Sequence, residues 1–356
     1  IDGTIVGFEK KGKDTYALID TSDVHTLMIA AAGTGKTTFF LEPNIEYCCA
    51  AGMSFISTDT KGDIYRNCGY VAAKRYGYKI SVIDLRNPLK SDGFNLLHLV
   101  KKYMDEHKNN PLNISAKAKS ERYAKIVADS IIAADGDKYG ANTYFYDAAK
   151  GLIAALILII AEYGNDKECH IVSVLKLMIE LLEAKPQKKS QLKSETYFAD
   201  LIKLLPPEHK ARWLSGAAIN NAYQAALSVI STALSRLNSL IDTETEQILC
   251  FNTAIDTETL CKEKCAVFIV LPEEDRTKYV IANLIIEQIS REIYHIADEN
   301  GGHLDKRIMI YFEEFGTMPP ISGVEAMFSA LRSRSVSIVA IIQSFAQLEK
   351  NYGKQG

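Results

Sequence analysis

The sequence predicts an α/β protein with a mostly parallel sheet that is split by an inserted all-α domain. In residues 1–100, and again in residues 249–356, short apolar runs alternate with helical patterns. This alternation is typical of parallel sheets covered by helices on both faces. Residues 101–248 between them show helical periodicity and no convincing strand. We therefore expect the first and third segments to form one α/β domain and the middle segment to form a separate helical one.

The composition is that of a globular protein able to bury a core. The chain has 356 residues, of which 47% are hydrophobic and 24% charged, and this length corresponds to roughly two domains. A net charge of −3 argues against a basic surface all round, so any nucleic-acid contact is confined to a local groove or pore. The seven cysteines form no Cys-x-x-Cys pair. We expect reduced, mostly buried thiols rather than disulfides or metal ligands.

The N-terminal part of the chain has no signal peptide and begins at Ile1 without a methionine, which is typical of a fragment or a processed protein. Short alternating patterns before residue 23 predict a hairpin at a sheet edge. The most apolar segment, residues 152–161, is too short to span a bilayer. We expect it to belong to a buried core helix.

The strongest motif is the run AAAGTGKTT at residues 30–38. It follows an apolar strand pattern, Leu27–Ile29, and leads into a helical pattern, which is the order found around phosphate-binding loops. Glycines in such a loop let backbone N–H groups face an anion, and the helix start adds its positive dipole end. We expect the loop to bind a nucleotide through Ala32, Gly33, Thr34, Gly35, Lys36, Thr37 and Thr38.

Two side chains of this loop have separate predicted roles. Lys36 is expected to reach the β- and γ-phosphates of ATP, and the hydroxyl of Thr37 to ligate Mg²⁺. The first position of the usual pattern is Ala30 instead of glycine, and its methyl group fits there if φ stays negative. A chance Gly-x-Gly-Lys turn is the alternative, against which the flanking strand and helix patterns argue.

A second element follows the apolar strand pattern of residues 308–312, IMIYF, which ends in two acids as in a Walker B element. Because the carboxyl ends of parallel strands meet at one edge of a sheet, we expect these acids beside the phosphate loop. Glu313, where an aspartate is usual, is expected to hold the Mg²⁺ shell. Glu314 is expected to orient or deprotonate the attacking water. The alternative is that either acid is an ordinary carboxylate exposed to solvent at the end of a strand.

Gln343 ends the last strand pattern of the chain. A polar side chain at this edge is a candidate sensor for the γ-phosphate or for the attacking water. A polar residue that merely closes a strand is the alternative.

Together with several further motifs, these residues resemble the type IV secretion coupling proteins, the TraG-like conjugation ATPases. The resemblance runs along most of the chain, and the order and spacing of its pieces make it specific. The matching pieces are GTGKT at 33–37, EPN at 42–44, DTKGD at 59–63, DLRNP at 84–88, FNL at 94–96, EEFG at 313–316, QSFAQL at 343–348 and YG at 352–353.

The resemblance implies a RecA-like P-loop NTPase domain, with ATP and Mg²⁺ as cofactors. It places Asp59 and Lys61 among the cofactor-binding residues. It also implies that an arginine near Arg332 reaches the γ-phosphate of a neighbouring subunit, with Arg334 as the second choice. Cations that flank the C-terminus of a helix are the alternative explanation of both arginines.

The function implied by the resemblance is an ATP-driven motor. Such proteins recruit DNA, usually with a bound relaxase, or protein substrates, and help to translocate them to a type IV secretion channel. The all-α domain is the expected contact for the relaxase or another secretion substrate, and channel components are further partners. Hydrolysis is expected to be stimulated by DNA or by assembly.

The resemblance also implies a location and an assembly. These proteins form homo-hexamers on the cytoplasmic side of the bacterial inner membrane. They are held there by an N-terminal anchor that this chain does not contain. A monomer is an alternative state for the fragment by itself.

Two other functions stay open. One is a DNA pump of the FtsK or HerA kind, which shares the phosphate site but not the surroundings of Lys61 and Gln343. The other is a non-motor platform that binds nucleotide and docks relaxase or effector proteins through the all-α domain. Turnover stimulated by DNA separates a motor from a platform.

The sequence itself does not show DNA contact, for which one basic run in the all-α segment is the candidate. Residues 185–212 have an excess of four positive charges, with Tyr197, Phe198 and Trp213 among or beside them. Basic side chains interleaved with aromatic ones bind single strands. A solvated helical face explains such a run equally well.

Overall fold

The computed structural model describes residues 2–133, 143–182, 197–216, 223–321 and 323–353. The chain divides into two compact units, one formed by residues 1–92 and 254–356 and the other by residues 93–253. The helical unit thus extends further at both ends than the expected 101–248. Its two ends are joined by a bridge between Gly93 and Thr253, and by a hydrogen bond from the Phe94 N–H to the carbonyl of Ile248.

The first unit contains two sheets. Strands β1 (Thr4–Lys11) and β2 (Asp14–Asp20) form an antiparallel hairpin that is a sheet of its own. The main sheet consists of β3 (Thr26–Ile29), β4 (Ser54–Asp59), β5 (Lys79–Asp84), β6 (Cys265–Val270), β7 (Ile308–Phe312) and β8 (Val336–Ile342). Its six strands are all parallel and lie in the order β3-β8-β7-β4-β6-β5. The predicted parallel sheet is therefore confirmed.

Helices cover the sheet and make up the second unit. In the first unit, the described helices of the α type are α1 (Glu42–Ala51), α2 (Asp63–Tyr76), α11 (Thr257–Lys262), α12 (Tyr279–Glu299), α13 (Val324–Ala330) and α14 (Phe345–Tyr352). Those of the second unit are α3 (His98–Asn109), α4 (Ile114–Ala133), α5 (Thr143–Tyr163), α6 (Ile171–Leu182), α7 (Tyr197–Leu204), α8 (Lys210–Leu214), α9 (Tyr223–Asn238) and α10 (Thr243–Leu249). No strand occurs among the described residues of the second unit.

The central strands of the main sheet are buried on both faces. Every residue of β4, β6, β7 and β8 is buried, which is why β6, β7 and most of β8 are apolar runs instead of alternating patterns. Phe55 of β4 packs edge-to-face against Phe268 and Tyr311 of its two neighbours, at ring distances of 5.4 and 6.1 Å. This core fixes the strand ends that carry the predicted site.

The hairpin does not extend the main sheet, so its expected position at a sheet edge is wrong. The side chain of Asn44 in α1 instead holds it through the backbone of Ile5. The Ile5 N–H donates to Asn44 Oδ1 at 2.7 Å, and Asn44 Nδ2 donates to the Ile5 carbonyl at 3.1 Å. A buried polar contact of this kind leaves no trace in an alternating pattern of hydrophobic residues.

Helix α5 forms the centre of the helical unit. Residues 152–161 are all buried, as expected, and the helix packs against α3, α4, α6, α8 and α9. The whole helix is 21 residues long, so it is long and apolar enough to cross a membrane by length and composition, and 67% of its most apolar window is buried within the protein. The expected buried core helix is confirmed, and it extends beyond the apolar run at both ends.

Candidate active site

The phosphate loop connects β3 to a π-helical turn, Thr37–Leu41, that precedes α1. Gly33 and Gly35 have φ of +77° and +78°, in the left-handed region that favours glycine. A Cβ on Gly35 would also lie 2.5 Å from the ring of Phe39. Among the described residues, Ser335 is the one non-glycine residue with a positive φ. Ala30 therefore has a negative φ, the condition under which its methyl group fits in the loop. The loop thus has the backbone shape that its motif predicts.

The remaining loop residues differ in exposure. Ala32, Gly33, Thr34 and Thr38 are exposed, whereas Lys36 is buried. The Thr34 hydroxyl donates to the carbonyl of Ala31 at 2.8 Å and closes the turn. A ligand in the loop would therefore meet backbone and small side chains at the surface and one buried ammonium group.

The register of the sheet brings the predicted side chains to one edge. Ile29 at the end of β3 lies opposite Ile342 at the end of β8, and the Ala30 N–H continues this pairing at 3.0 Å to the Ile342 carbonyl. Phe312, which ends β7, lies opposite Ala340 of β8. The phosphate loop, the acidic pair and Gln343 consequently leave neighbouring strands at the carboxyl edge.

The carboxylate of Glu314 is shared by two donors. Lys36 Nζ lies 3.0 Å from Glu314 Oε1, and Gln343 Nε2 lies 3.3 and 3.2 Å from its two oxygens. The Lys36 and Glu314 side chains are only 10% and 20% exposed. Three residues predicted from three separate motifs therefore form one hydrogen-bonded cluster.

Glu313 is held by threonines on both of its oxygens. Oε1 accepts the Thr37 hydroxyl at 3.1 Å, and Oε2 accepts the Thr60 N–H at 2.9 Å and its hydroxyl at 3.1 Å. Burial raises the pKa of Glu313 above its ordinary value, while the bonds from Thr60 and Thr37 oppose that shift. The side chain is thus buried but well supplied with donors to its ionised form.

The residues around Glu313 fit a nucleotide-bound magnesium ion. The Thr37 hydroxyl and the Glu313 carboxylate are oxygen donors 3.1 Å apart, and Mg²⁺ prefers oxygen ligands. In the described part of the chain there is no group of three or more His, Cys, Asp or Glu side chains suited to a metal. Magnesium at nucleotide sites takes only one or two protein side chains and completes its shell with phosphates and water.

Asp59 organises the turn between β4 and α2. Its carboxylate accepts the N–H groups of Lys61, Gly62 and Tyr65 at 3.3, 2.7 and 2.9 Å. Burial raises its pKa, and these hydrogen bonds act in the opposite direction. The Lys61 side chain is exposed, and its carbonyl accepts a bond from Arg86 Nη1 at 2.7 Å. Nucleotide contact by Asp59 and Lys61 remains a prediction, and the described role of Asp59 is to shape this turn.

Arg332 lies away from this cluster. It begins a 3₁₀ turn just before β8, and its Nη1 is 3.5 Å from the carbonyl of Asp23, which precedes β3. This is the amino edge of the sheet, and a seven-residue strand such as β8 is about 20 Å long. Arg332 therefore cannot serve the phosphate loop of its own chain. Arg334 pairs with Asp298 at 2.9 Å.

Two residues near Glu313 and Gln343 were missed from the sequence. Thr60 binds Glu313 through its N–H and hydroxyl, and the Gln347 side chain accepts the Gln343 N–H at 3.0 Å. Both lie within the matching motifs at 59–63 and 343–348. That position within a motif was the one signal that pointed to them.

The basic run of the helical unit is described only in part, because Lys185, Lys188, Lys189 and Lys193 lie outside the described residues. At its C-terminal end, Arg212 Nη1 donates to the Leu205 carbonyl at 3.0 Å. The Trp213 ring lies 3.6 Å below the Lys210 ammonium, and its N–H donates to the carbonyl of Pro207 at 3.0 Å. This end of the run is engaged within its own unit, which favours the solvated-face explanation there.

A cavity of about 250 Å³ adjoins the phosphate loop. Its walls include Val6 and Phe8 of the hairpin and Phe39 after the loop. These three side chains are between 54% and 74% exposed. The amide of Asn44, which also lines the cavity, is occupied by the hairpin backbone. The cavity is therefore mostly apolar.

A parallel sheet with a phosphate loop after its edge strand and an acidic pair after a central one defines a RecA-like P-loop NTPase domain, here with an all-helical second unit. A family model described as "Type IV secretory system Conjugative DNA transfer" matches residues 2–356. The chain therefore belongs to the type IV secretory system conjugative DNA transfer family. The family expected from the sequence is confirmed.

Solved structures of the bacterial conjugative coupling protein TrwB are similar in fold. The unbound form of TrwBdeltaN70 has 13% identity and a TM-score of 0.62, over 94% of this chain and 65% of that one. The complex of TrwB with the non-hydrolysable ATP analogue ADPNP has 13% identity and a TM-score of 0.62, over 94% of this chain and 67% of that one. The complex with ADP and Mg²⁺ has 13% identity and a TM-score of 0.61, over 94% of this chain and 67% of that one.

At this identity, the likeness to TrwB is one of fold. The chain spans about two thirds of the length of these structures. No curated protein sequence matches the chain.

Proposed function

We propose that the chain is the ATP-hydrolysing part of a coupling protein. This protein recruits conjugative DNA with its relaxase, or protein substrates, and helps to translocate them to a type IV secretion channel. The main support for this proposal is the hydrogen-bonded cluster of Lys36, Glu314 and Gln343 at the carboxyl edge of the sheet. Membership in the conjugative DNA transfer family supplies the biological process. The nucleotide complexes of TrwB support ATP and Mg²⁺ as the ligands.

In the proposed reaction, the triphosphate of ATP lies in the loop of residues 33–37, where backbone N–H groups face its oxygens. Lys36 exchanges the Glu314 carboxylate for the β- and γ-phosphates. Thr37 and Glu313 would hold the magnesium ion, which when bound neutralises phosphate charge. The exchange leaves Glu314 free to accept a proton from the attacking water, while Gln343 keeps hold of its carboxylate.

The proposal extends to assembly and location. We place the protein in a homo-hexamer at the cytoplasmic face of the bacterial inner membrane, with channel components and a relaxase as partners. Arg332 is exposed and lies on the sheet edge opposite the phosphate loop of its own chain. In a ring it would therefore act on a neighbour's site. Arg334 is the weaker choice because Asp298 and Tyr294 of its own chain engage its guanidinium.

The test is the ATPase rate of the chain without DNA, with single-stranded DNA and with double-stranded DNA, at two salt concentrations. We expect hydrolysis that DNA stimulates, with the stimulation falling at higher salt because phosphate contacts weaken. The Lys36→Ala variant controls for contaminating ATPases. If the chain binds ATP but shows no turnover with either DNA, the motor is contradicted and the nucleotide-binding platform is favoured.

A further inference from the structure

Helix α14 contacts Gln343 and the turn that follows Glu314. It begins two residues after Gln343, and its Gln347 side chain reaches back so that Oε1 accepts the Gln343 N–H at 3.0 Å. The same side chain lies against the turn that follows Glu314. A Cβ on Gly316 would be 2.3 Å from Gln347 Oε1 and 2.9 Å from Gln347 Cβ. Gly316 therefore has no room for a side chain, because Gln347 occupies the space.

The next turn of α14 is attached to the same loop. Asn351 Nδ2 donates to the carbonyls of Gly316 and Met318 at 3.0 and 2.8 Å. The Tyr352 hydroxyl accepts the N–H of Ile321 at 3.2 Å. Its ring stacks on Phe315 at 5.7 Å, with the planes 12° apart. These contacts fasten the helix to the segment directly after the acidic pair.

No residue of α14 is buried. The helix is thus not held by an apolar face in the core, as helices usually are. Its described attachments are the hydrogen bonds of Gln347, Asn351 and Tyr352 and the stacking of the Tyr352 ring on Phe315. Hydrogen bonds of this kind weaken steeply with misalignment, so they fix position more sharply than apolar packing does.

We propose that Gln347 is a positioning residue that sets the contact between Gln343 and Glu314, an inference that rests on the proposed hydrolysis. The Gln343 side chain meets the Glu314 oxygens at 3.2 and 3.3 Å. Gln347 fixes the peptide from which the Gln343 side chain extends, and it packs on the turn that carries Glu314. Loss of its acceptor frees that peptide and misaligns Glu314 against the attacking water. The described hydrogen bonds of Lys36 and Thr37 go to Glu314 and Glu313 and not to Gln347, so we expect ATP binding to be unchanged.

Three variants separate this role from a general effect on folding. Gln347→Met removes the acceptor at nearly the same volume, and Gln347→Glu keeps an acceptor. Glu349→Ala changes an exposed residue of the same helix and serves as the control. We expect Gln347→Met to lower kcat about tenfold, as for the loss of one hydrogen bond in a transition state, with KM for ATP within about twofold. Gln347→Glu should restore most of kcat, and Glu349→Ala should match the wild type.

A second experiment tests the contact with Gly316 and requires no turnover. Gly316→Ala and Gln347→Ala are made singly and together, and thermal unfolding is measured for each. Gly316→Ala alone should be strongly destabilising because its methyl group meets Gln347. In the double variant that methyl group no longer meets the Oε1 and Cδ atoms of Gln347, and only the 2.9 Å contact with the Cβ of residue 347 remains, so the combined loss should be smaller than the sum of the two single losses. Additive losses would overturn the contact on which the inference depends.

The kinetic outcomes distinguish this inference from the proposed function. If the wild type hydrolyses ATP and Gln347→Met has the same kcat, the positioning role is overturned while the proposed function stands. A rise in KM without a fall in kcat also overturns it, because the residue would then act on binding. No hydrolysis by the wild type overturns the proposed function and this inference with it.

Discussion

The ammonium group of Lys36 lies 3.0 Å from Oε1 of Glu314 and joins the phosphate loop to the end of the Walker B strand. The two side chains come from positions 278 residues apart in the sequence. Both side chains are mostly shielded from solvent, so the ion pair is only weakly screened by water. In the proposed reaction, phosphates that enter the loop compete with Glu314 for Lys36, and we expect ATP binding to be coupled in this way to release of the proposed base.

Replacement of Lys36 by alanine should weaken ATP binding and abolish turnover. The variant removes a charge aimed at the β- and γ-phosphates, and a charge-assisted contact of this kind corresponds to about a 10- to 100-fold change in Kd. Isothermal titration with ATP and Mg²⁺ measures the affinity. The matched control is Lys13→Ala, an exposed lysine between the hairpin strands. Equal affinities of Lys36→Ala and the wild type would contradict the assignment of the loop.

Phe39 is expected to contact the nucleobase. It is 74% exposed, lies against Gly35 and lines the apolar cavity beside the loop. Because the amide of Asn44 in that cavity is already bonded to backbone, we expect little discrimination between adenine and guanine. Phe39→Ala should weaken ATP and GTP by a similar factor of about three to ten, as for the loss of one aromatic contact.

The measurement for Phe39 is the Kd of both nucleotides. The control is Tyr70→Ala, which removes another ring that is 72% exposed, on α2. Unchanged affinity in Phe39→Ala, or a strong preference of the wild type for ATP over GTP, would contradict this placement of the base.

His25 should make the stability of the α/β unit depend on pH. Its Nε2 lies 2.6 Å from the carbonyl of Phe328 and its Nδ1 accepts the Ile338 N–H at 2.9 Å, so the ring is neutral. Burial lowers its pKa below the ordinary 6.5, and Arg332 adds to the shift while the bond to Phe328 opposes it. As the pH falls, His25 is therefore protonated in the unfolded chain at a higher pH than in the folded protein. This contribution to stability is present above about pH 6.5 and is lost as pH falls below it.

Thermal unfolding from pH 8 to pH 5.5 measures this dependence. Below pH 6.5, the melting temperature of the wild type should fall more steeply than that of His25→Gln, which has no titrating group at this position. His170 of the helical unit also has a lowered pKa because it is buried, so the difference between the two proteins is the quantity to compare. Parallel curves would show that His25 does not contribute.

Arg332 should act across a subunit interface. Lys36→Ala and Arg332→Ala proteins are each expected to be inactive. In a random mixed ring about a quarter of the junctions join an intact phosphate loop to an intact arginine. Mixing should therefore restore part of the ATPase activity under conditions in which the protein assembles into rings. If mixed rings are confirmed by mass and remain as inactive as either parent, Arg332 has no such role.

Local sequence patterns were sufficient to predict much of the fold and the main site. The loop at 33–37 and the acidic pair at 313–314 are short segments whose chemistry follows from neighbouring residues, and parallel pairing then brings them together. The position of the hairpin was not predictable, because it depends on contacts of Asn44 with Ile5, 39 residues away. The contact of Thr60 with Glu313, 253 residues away, and that of Gln347 with Gly316 were missed for the same reason. Their partners are defined only after the strands are in register.

The most direct test of the account is hydrolysis by the Glu314→Gln variant, with Glu325→Gln as an exposed control on α13. Release of phosphate at saturating ATP is measured together with the affinity for ATP. We predict that Glu314→Gln binds ATP at least as tightly as the wild type, because Lys36 loses a competing carboxylate. Its hydrolysis should fall by about 10²- to 10⁴-fold because the general base is gone. Hydrolysis by Glu314→Gln at the wild-type rate would contradict the role of Glu314 as the general base.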